Sequence, residues 1–167
     1  MLARLRPHWP LVALLISGAL LAGAHAFESF GGLRPCVLCL EQRERHWWIV
    51  GASAVLFLGG LFFGKRVGWY YTAAAAILGV LFLVSLKSAG YHVGVEQHIW
   101  TAQCDTMGDI HHIRPMTFGN EPLNLPRCDA PQWSLFGLTM AAYNAIISLA
   151  AALASFAVAL ARPGKPS

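Results

Sequence analysis

Four long stretches without a charged side chain dominate this sequence, and no soluble core could hide them. They run over Leu11–Phe27, Trp47–Gly64, Val67–Leu86 and from Pro131 to Ala161. A helix needs about 20 apolar residues to cross a hydrocarbon core of about 30 Å. The first two stretches lie near the short limit. The last is long enough to begin in the interface and run tilted, with Ser134 after Pro131 as its expected N-cap. Charged residues make up 12% of the chain and the mean hydropathy is +0.53, whereas a soluble domain carries about 25% charged residues. The expected fold class is an all-α membrane protein: one domain over residues 1–167, built as a four-transmembrane-helix bundle. Its spans fall at about 11–27, 47–64, 67–86 and 134–161, with two larger outer loops at about 28–46 and 87–133.

The first stretch has a rival reading. Arg4 and Arg6 before it, and Ala24-His25-Ala26 at its end, resemble a signal peptide with a small-residue cleavage site. The apolar run exceeds the usual signal length, and its removal would leave three spans without a fourth partner. A retained span is therefore expected, and Phe27 onward lies outside under either reading.

Orientation follows from the basic residues near the span ends. Arg4 and Arg6 precede the first span, Lys65 and Arg66 join the second to the third, and Arg162 and Lys165 follow the last. Those short segments contain no acid. Glu28, Glu41, Glu44, Glu96, Asp105, Asp109, Glu121 and Asp129 all lie in the other two loops. Both termini are thus expected in the cytoplasm and both larger loops outside. The formal net charge of +4 expresses this asymmetry. Its scattered basic residues lack the stripe that a nucleic-acid partner needs, so none is expected.

All four cysteines fall in the outer loops. Cys36-Val37-Leu38-Cys39 occupies the first, and Cys104 and Cys128 the second. An even set of cysteines in an oxidising compartment reads as disulfides, with three pairings open. The local pairing, Cys36–Cys39 with Cys104–Cys128, is the natural resting state. A Cys104–Cys128 bridge would close a loop of about 25 residues, worth roughly 3 kcal/mol as a staple. The C-x-x-C loop gains little entropy from cross-linking, and such short bonds tend to be labile and catalytic. A four-thiolate zinc site is disfavoured by the surroundings and the wide spacing, so no metal is expected.

Pro35 precedes Cys36 and the second helix follows, which puts both sulfurs near a helix N-terminus where a thiolate is stabilised. If the helix already runs through Cys39, Arg43 shares its face one turn on. There it can stabilise a thiolate and hydrogen-bond a ligand carbonyl. Trp47 and Trp48 are expected in the interfacial aromatic belt, and Asn144 to hydrogen-bond between helices. No fixed ligand spacing joins His98, His111 and His112 to the cysteines, so they read as solvated loop residues.

The run Arg34-Pro35-Cys36-Val37-Leu38-Cys39 followed by Arg43 resembles the signature of the DsbB family, quinone-reducing thiol oxidases of the bacterial inner membrane. The likeness continues in His92-Val93-Gly94-Val95-Glu96, Gln103-Cys104-Asp105, and Cys128 followed by Gln132-Trp133 and Phe136-Gly137-Leu138. It spans nearly the whole chain, with the C-x-x-C between the first two spans. The resemblance implies a relay. A periplasmic DsbA-like dithiol partner attacks Cys104, Cys128 passes the exchange to Cys36, and Cys39 delivers electrons to a ubiquinone-type quinone. It also implies that Arg43 holds the quinone and that His92 lies near it. Glu96 stands where the family pattern has Gln. Two other functions compete: a membrane adaptor or assembly factor with purely structural disulfides, and an oxidase dedicated to one substrate.

Overall fold

The computed structural model describes residues 5–63, 69–101 and 126–161. Cys104, His111, His112 and the segment joining the second and third spans lie outside these residues. Among the described residues, four helices are long and apolar enough to cross a membrane. They are α1 (Trp9–Ser29), entered through a 3-10 turn at Arg6–His8, α2 (Val37–Phe63), α3 (Tyr70–Glu96) and α4 (Met140–Leu160). Pro10 stands in the first turn of α1, where its missing N–H costs nothing.

The bundle holds together through small residues on the inner faces. On α4 the buried positions are Ala141, Asn144, Ser148, Ala151, Ala152, Ser155 and Val158, which recur at helical spacing along one stripe. On α3 they include Ala75, Leu78, Phe82, Ser85, Ala89 and His92. Small side chains let helices approach closely where lipid offers no hydrophobic drive for association. Trp9, Ala13, Ile49, Leu78, Phe82 and Val158 fill one core cluster. Large apolar side chains such as Leu15, Val55, Leu61, Val80 and Leu153 point outward instead, as a lipid-facing surface requires. At the end of the bundle away from the cysteines Trp9 Nε1 donates to Ser155 Oγ at 3.0 Å, joining α1 to α4.

The uncharged stretches place each span but not its helix ends: α2 and α3 outrun theirs, and α4 falls short of its own. α2 starts well ahead of Trp47, because residues 37–46 contain no glycine or proline and their charged side chains need only reach the polar layer. α3 runs past Leu86 to Glu96. It ends in a Schellman turn: Ile99 N donates to Gly94 O at 2.8 Å and His98 N to Val95 O at 2.9 Å, with His98 left-handed at φ 58°. Trp100 folds back over this end, stacked on Tyr91 with ring centroids 5.6 Å apart, and its ring lies directly on Gly94.

Ser134 does not cap the last helix. Ser134–Leu135 (β1) pairs antiparallel with Leu138–Thr139 (β2), and the turn between them places Phe136 at φ 51° and Gly137 at φ 77°. Two successive left-handed residues make the tight turn that matches strand twist. The helix therefore begins only at Met140. Its cap is Thr139, whose Oγ1 accepts from Ala142 N at 3.2 Å.

A β-carbon at position 94 would enter the Trp100 ring. Gly94→Ala should lower stability by about 1–3 kcal/mol, read as a reduced melting temperature of the detergent-solubilised protein.

Candidate functional site

The cysteine pair sits where α2 begins. Cys36 immediately precedes the helix, and its carbonyl accepts the first helical bond from Leu40 N at 3.1 Å. Its sulfur takes the capping position, accepting from Cys39 N at 3.2 Å. The two sulfurs lie 2.6 Å apart and are unbridged. Cys36 is buried, whereas Cys39 is partly exposed. The hydrogen bond to Cys39, with burial added, pushes the Cys36 thiol above the usual thiol range. A reduced pair therefore keeps a proton on Cys36.

His92 reaches this pair from α3. Its Nε2 stands 3.7 Å from Cys36 Sγ and its Nδ1 2.6 Å from Gln42 Nε2. Cys128 is disulfide-bonded and packs in one buried cluster with Cys36, Leu38 and Val95, against which Cys39 and Tyr91 also lie. The resemblance thus points to three cysteines that the fold gathers together. Its fourth, Cys104, lies outside the described residues. Gln132 Nε2 donates to Arg34 O at 2.8 Å and ties the segment before α4 to the segment before α2.

Arg43 lies one turn beyond Cys39 with its side chain only 14% exposed. It forms an ion pair with Glu28 and donates to the Ala24 carbonyl at 3.0 Å, so the end of α1 holds it in place. Beside it opens a cavity of about 380 Å³. Leu20, Leu21, Ala24 and Phe27 of α1 form one wall, and Met140, Asn144 and Ile147 of α4 another. Cys36, Cys39, Gln42, Arg43, His46, His92 and Glu96 supply its polar edge. Trp133 also lines it, stacked at a tilt on Phe27 with ring centroids 5.0 Å apart. Trp47 and Trp48 lie on the outside of α2, 56% and 63% exposed.

Sequence reasoning missed several of these groups. Glu96 accepts from Thr139 Oγ1 at 2.6 Å and stands 3.8 Å from His92 Nε2, with a side chain only 6% exposed. Its departure from the family pattern therefore falls inside the site. Gln42 and His46 are buried too, and the spacing of Cys39, Gln42, His46 and Ile49 along one helical face was the available signal. His98 lies apart, 73% exposed and 3.9 Å from Asp129, whose carboxyl Arg127 holds below the usual range. Cys36, Cys39 and His92 form a group of potential metal ligands with their donor atoms within 4.8 Å of one another. That is one donor short of the tetrahedral set of a structural zinc site.

Unequal burial and protonation should divide the two thiols by reactivity. In the reduced protein, brief alkylation near neutral pH should label Cys39 well ahead of Cys36. Labelling of Cys36 should rise only in alkaline solution, as mass spectrometry of the peptides would show.

Comparison with known proteins agrees with this geometry. The family model described as "Disulfide bond formation protein DsbB" matches residues 6–158. Relatives named "Disulfide bond formation protein B" from Xanthomonas oryzae pv. oryzae and Xanthomonas axonopodis pv. citri are 28% identical, over 81% of this chain and 80% of theirs. No solved structure matches. A four-span bundle matched by that family model across nearly all its length establishes the assignment: the chain belongs to the DsbB family of membrane disulfide bond formation proteins.

Proposed function

We propose that this protein reoxidises a periplasmic DsbA-like dithiol partner and passes the electrons through two cysteine pairs to a membrane quinone. The observation that carries this reading is the buried cluster in which Cys36 packs with Cys128 and Cys39, one helical turn before Arg43.

Each step is thiol–disulfide exchange, which needs a thiolate and a line of approach to sulfur. The partner's thiolate attacks Cys104, breaking a Cys104–Cys128 bond and leaving Cys128 as thiolate. Cys128 attacks Cys36, which breaks the Cys36–Cys39 bond and leaves the charge on Cys39. The helix N-terminus and the Arg43 guanidinium favour the charge there. The partner's second thiolate then closes the partner disulfide and releases Cys104, which attacks Cys128, restores the Cys104–Cys128 bond and frees Cys36 as a thiol. Cys36 is thus the sulfur that changes partner, and its burial keeps competing thiols and water from it.

The cavity residues fit a quinone. A volume of about 380 Å³ lies within the range of about 300–1,000 Å³ of small-molecule sites. Apolar walls from α1 and α4 suit a flat ring, and Arg43, Gln42, His46 and His92 are the side chains within reach of carbonyl oxygens. Such a ubiquinone-type quinone, when bound, supplies the oxidising power by accepting two electrons and two protons. The chain's own part is to hold the ring beside Cys39 and to exclude water. In the bacterial inner membrane, with both termini cytoplasmic, the cysteine loops meet the periplasmic partner.

Purified protein given a reduced DsbA-like dithiol should consume quinone and form partner disulfide in equal amounts. Cys36→Ser should abolish turnover; full turnover in that variant would refute the relay. Arg43→Gln should weaken quinone binding about tenfold, roughly 1.4 kcal/mol, measured as the rise in apparent KM for quinone with the partner-exchange step unchanged. A Cys128→Ser variant should accumulate a mixed disulfide on Cys104. A captured protein with its own C-x-x-C supports general oxidation, whereas a single captured protein without one points to a dedicated substrate. An adaptor with structural disulfides would trap nothing.

A further inference from the structure

Behind the cysteine pair a file of hydrogen bonds crosses the bundle. Ser17 Oγ lies 3.2 Å from His46 Nδ1, and His46 Nε2 lies 2.8 Å from Asn144 Oδ1. Asn144 Nδ2 donates to Gln42 Oε1 at 2.7 Å, and Gln42 Nε2 meets His92 Nδ1 at 2.6 Å. The far nitrogen of His92 faces Cys36 Sγ at 3.7 Å, and Cys36 meets Cys39 at 2.6 Å. Ser17, Gln42, His46, His92 and Asn144 are all buried.

The donors in this file run one way. An amide nitrogen only donates, so His92 Nδ1 must accept from Gln42 and carry no proton. The remaining proton of a neutral ring is then on Nε2. The Glu96 carboxyl also stands 3.8 Å from Nε2, and reversing the file would turn a bare nitrogen toward its oxygen. The same logic sets His46: Asn144 Oδ1 can only accept, so Nε2 donates to it and Nδ1 accepts from the Ser17 hydroxyl.

We propose that Gln42, Asn144 and His46 are positioning residues that lock His92 as its Nε2–H tautomer, so that an unbroken one-way file of donors ends on the cysteine pair. With Cys36 as the thiol, its own S–H continues the file to the Cys39 sulfur. Aligned hydrogen bonds polarise one another in a low-dielectric interior. The file therefore adds to the stabilisation of negative charge on Cys39 and makes the Cys36–Cys39 pair a stronger oxidant. No electron moves along it and no proton is consumed. It sets the electrostatic poise of a sulfur pair whose exchange is the reaction proposed above, and it rests on that reading.

The test is ring-nitrogen NMR of the full-length protein in nanodiscs with 15N-labelled histidine, His92 being assigned by loss of its signals in His92→Gln. A protonated Nε2 and bare Nδ1 are expected; the opposite tautomer would overturn the proposal. The second measurement equilibrates the protein with glutathione buffers and quantifies the Cys36–Cys39 disulfide by mass spectrometry. Gln42→Leu should favour the disulfide about tenfold over wild type, a shift of about 30 mV toward a weaker oxidant. Ser155→Ala removes a buried hydrogen bond elsewhere in α4 and should leave that equilibrium unchanged. An unchanged equilibrium in Gln42→Leu would sink the proposal. Neither readout requires turnover, so a failed relay with the expected tautomer would count against the redox reading alone.

Discussion

One imidazole ring binds the whole bundle together. From α2, His46 meets Ser17 of α1, Ser85 of α3 and Asn144 of α4, at 3.2, 3.3 and 2.8 Å. Ser85 in turn meets Ser148 at 3.1 Å, and Ser148 donates to Asn144 Oδ1 at 3.2 Å. Water is scarce at this depth, so each of these groups would be costly if left alone. Helix positions are therefore coupled: moving any one of the four leaves a polar atom unpaired in another. The alignment of Gln42 and His92 with the cysteines depends on that fixed frame, and so does the cavity beside them.

A second tie acts at the cysteine end of the bundle. Thr139 caps α4 through its hydroxyl oxygen and spends the hydroxyl proton on Glu96, at the last turn of α3. That carboxyl lies nearly enclosed between the end of α3 and the start of α4. Arg43 is fastened in the same manner by Glu28 and the Ala24 carbonyl. Guanidinium and carboxylate thus reach the site already oriented, on side chains that contacts at that end of the bundle hold still.

Much of this was legible beforehand, because lipid imposes strict rules. Four uncharged runs require four helices, and C-x-x-C after Pro35 announces a helix start with sulfur at its tip. Asn144, a polar residue in the middle of an apolar run, signalled the interhelical bond that it makes. Helix ends were less legible, since α2 and α3 continue into a polar layer where hydropathy no longer reports on them. The hairpin at Ser134–Thr139 escaped because Phe136 is a poor residue for a left-handed turn, and a serine after a proline is a common cap. Gln42 and His46 stand in a polar run ahead of the second uncharged stretch and drew no assignment, and Glu96 stood out only as a departure from the family pattern. Only the packing of α3 and α4 against α2 shows that they face inward.

The cavity lies toward the cysteine end of the bundle. Trp9 and Ser155 join α1 to α4 at the end away from the cysteines, whereas nearer the cysteines residues of both helices form its walls. It reaches the outer surface of α1 at Ala19, an exposed lining residue within the span. A molecule entering at Ala19 comes from the bilayer, whereas the exposed loop residues Arg34, Arg127 and Gln132 line the same cavity toward its polar end. For a ligand that takes the first route, occupancy follows its mole fraction in the lipid and is indifferent to the volume of buffer around the membrane.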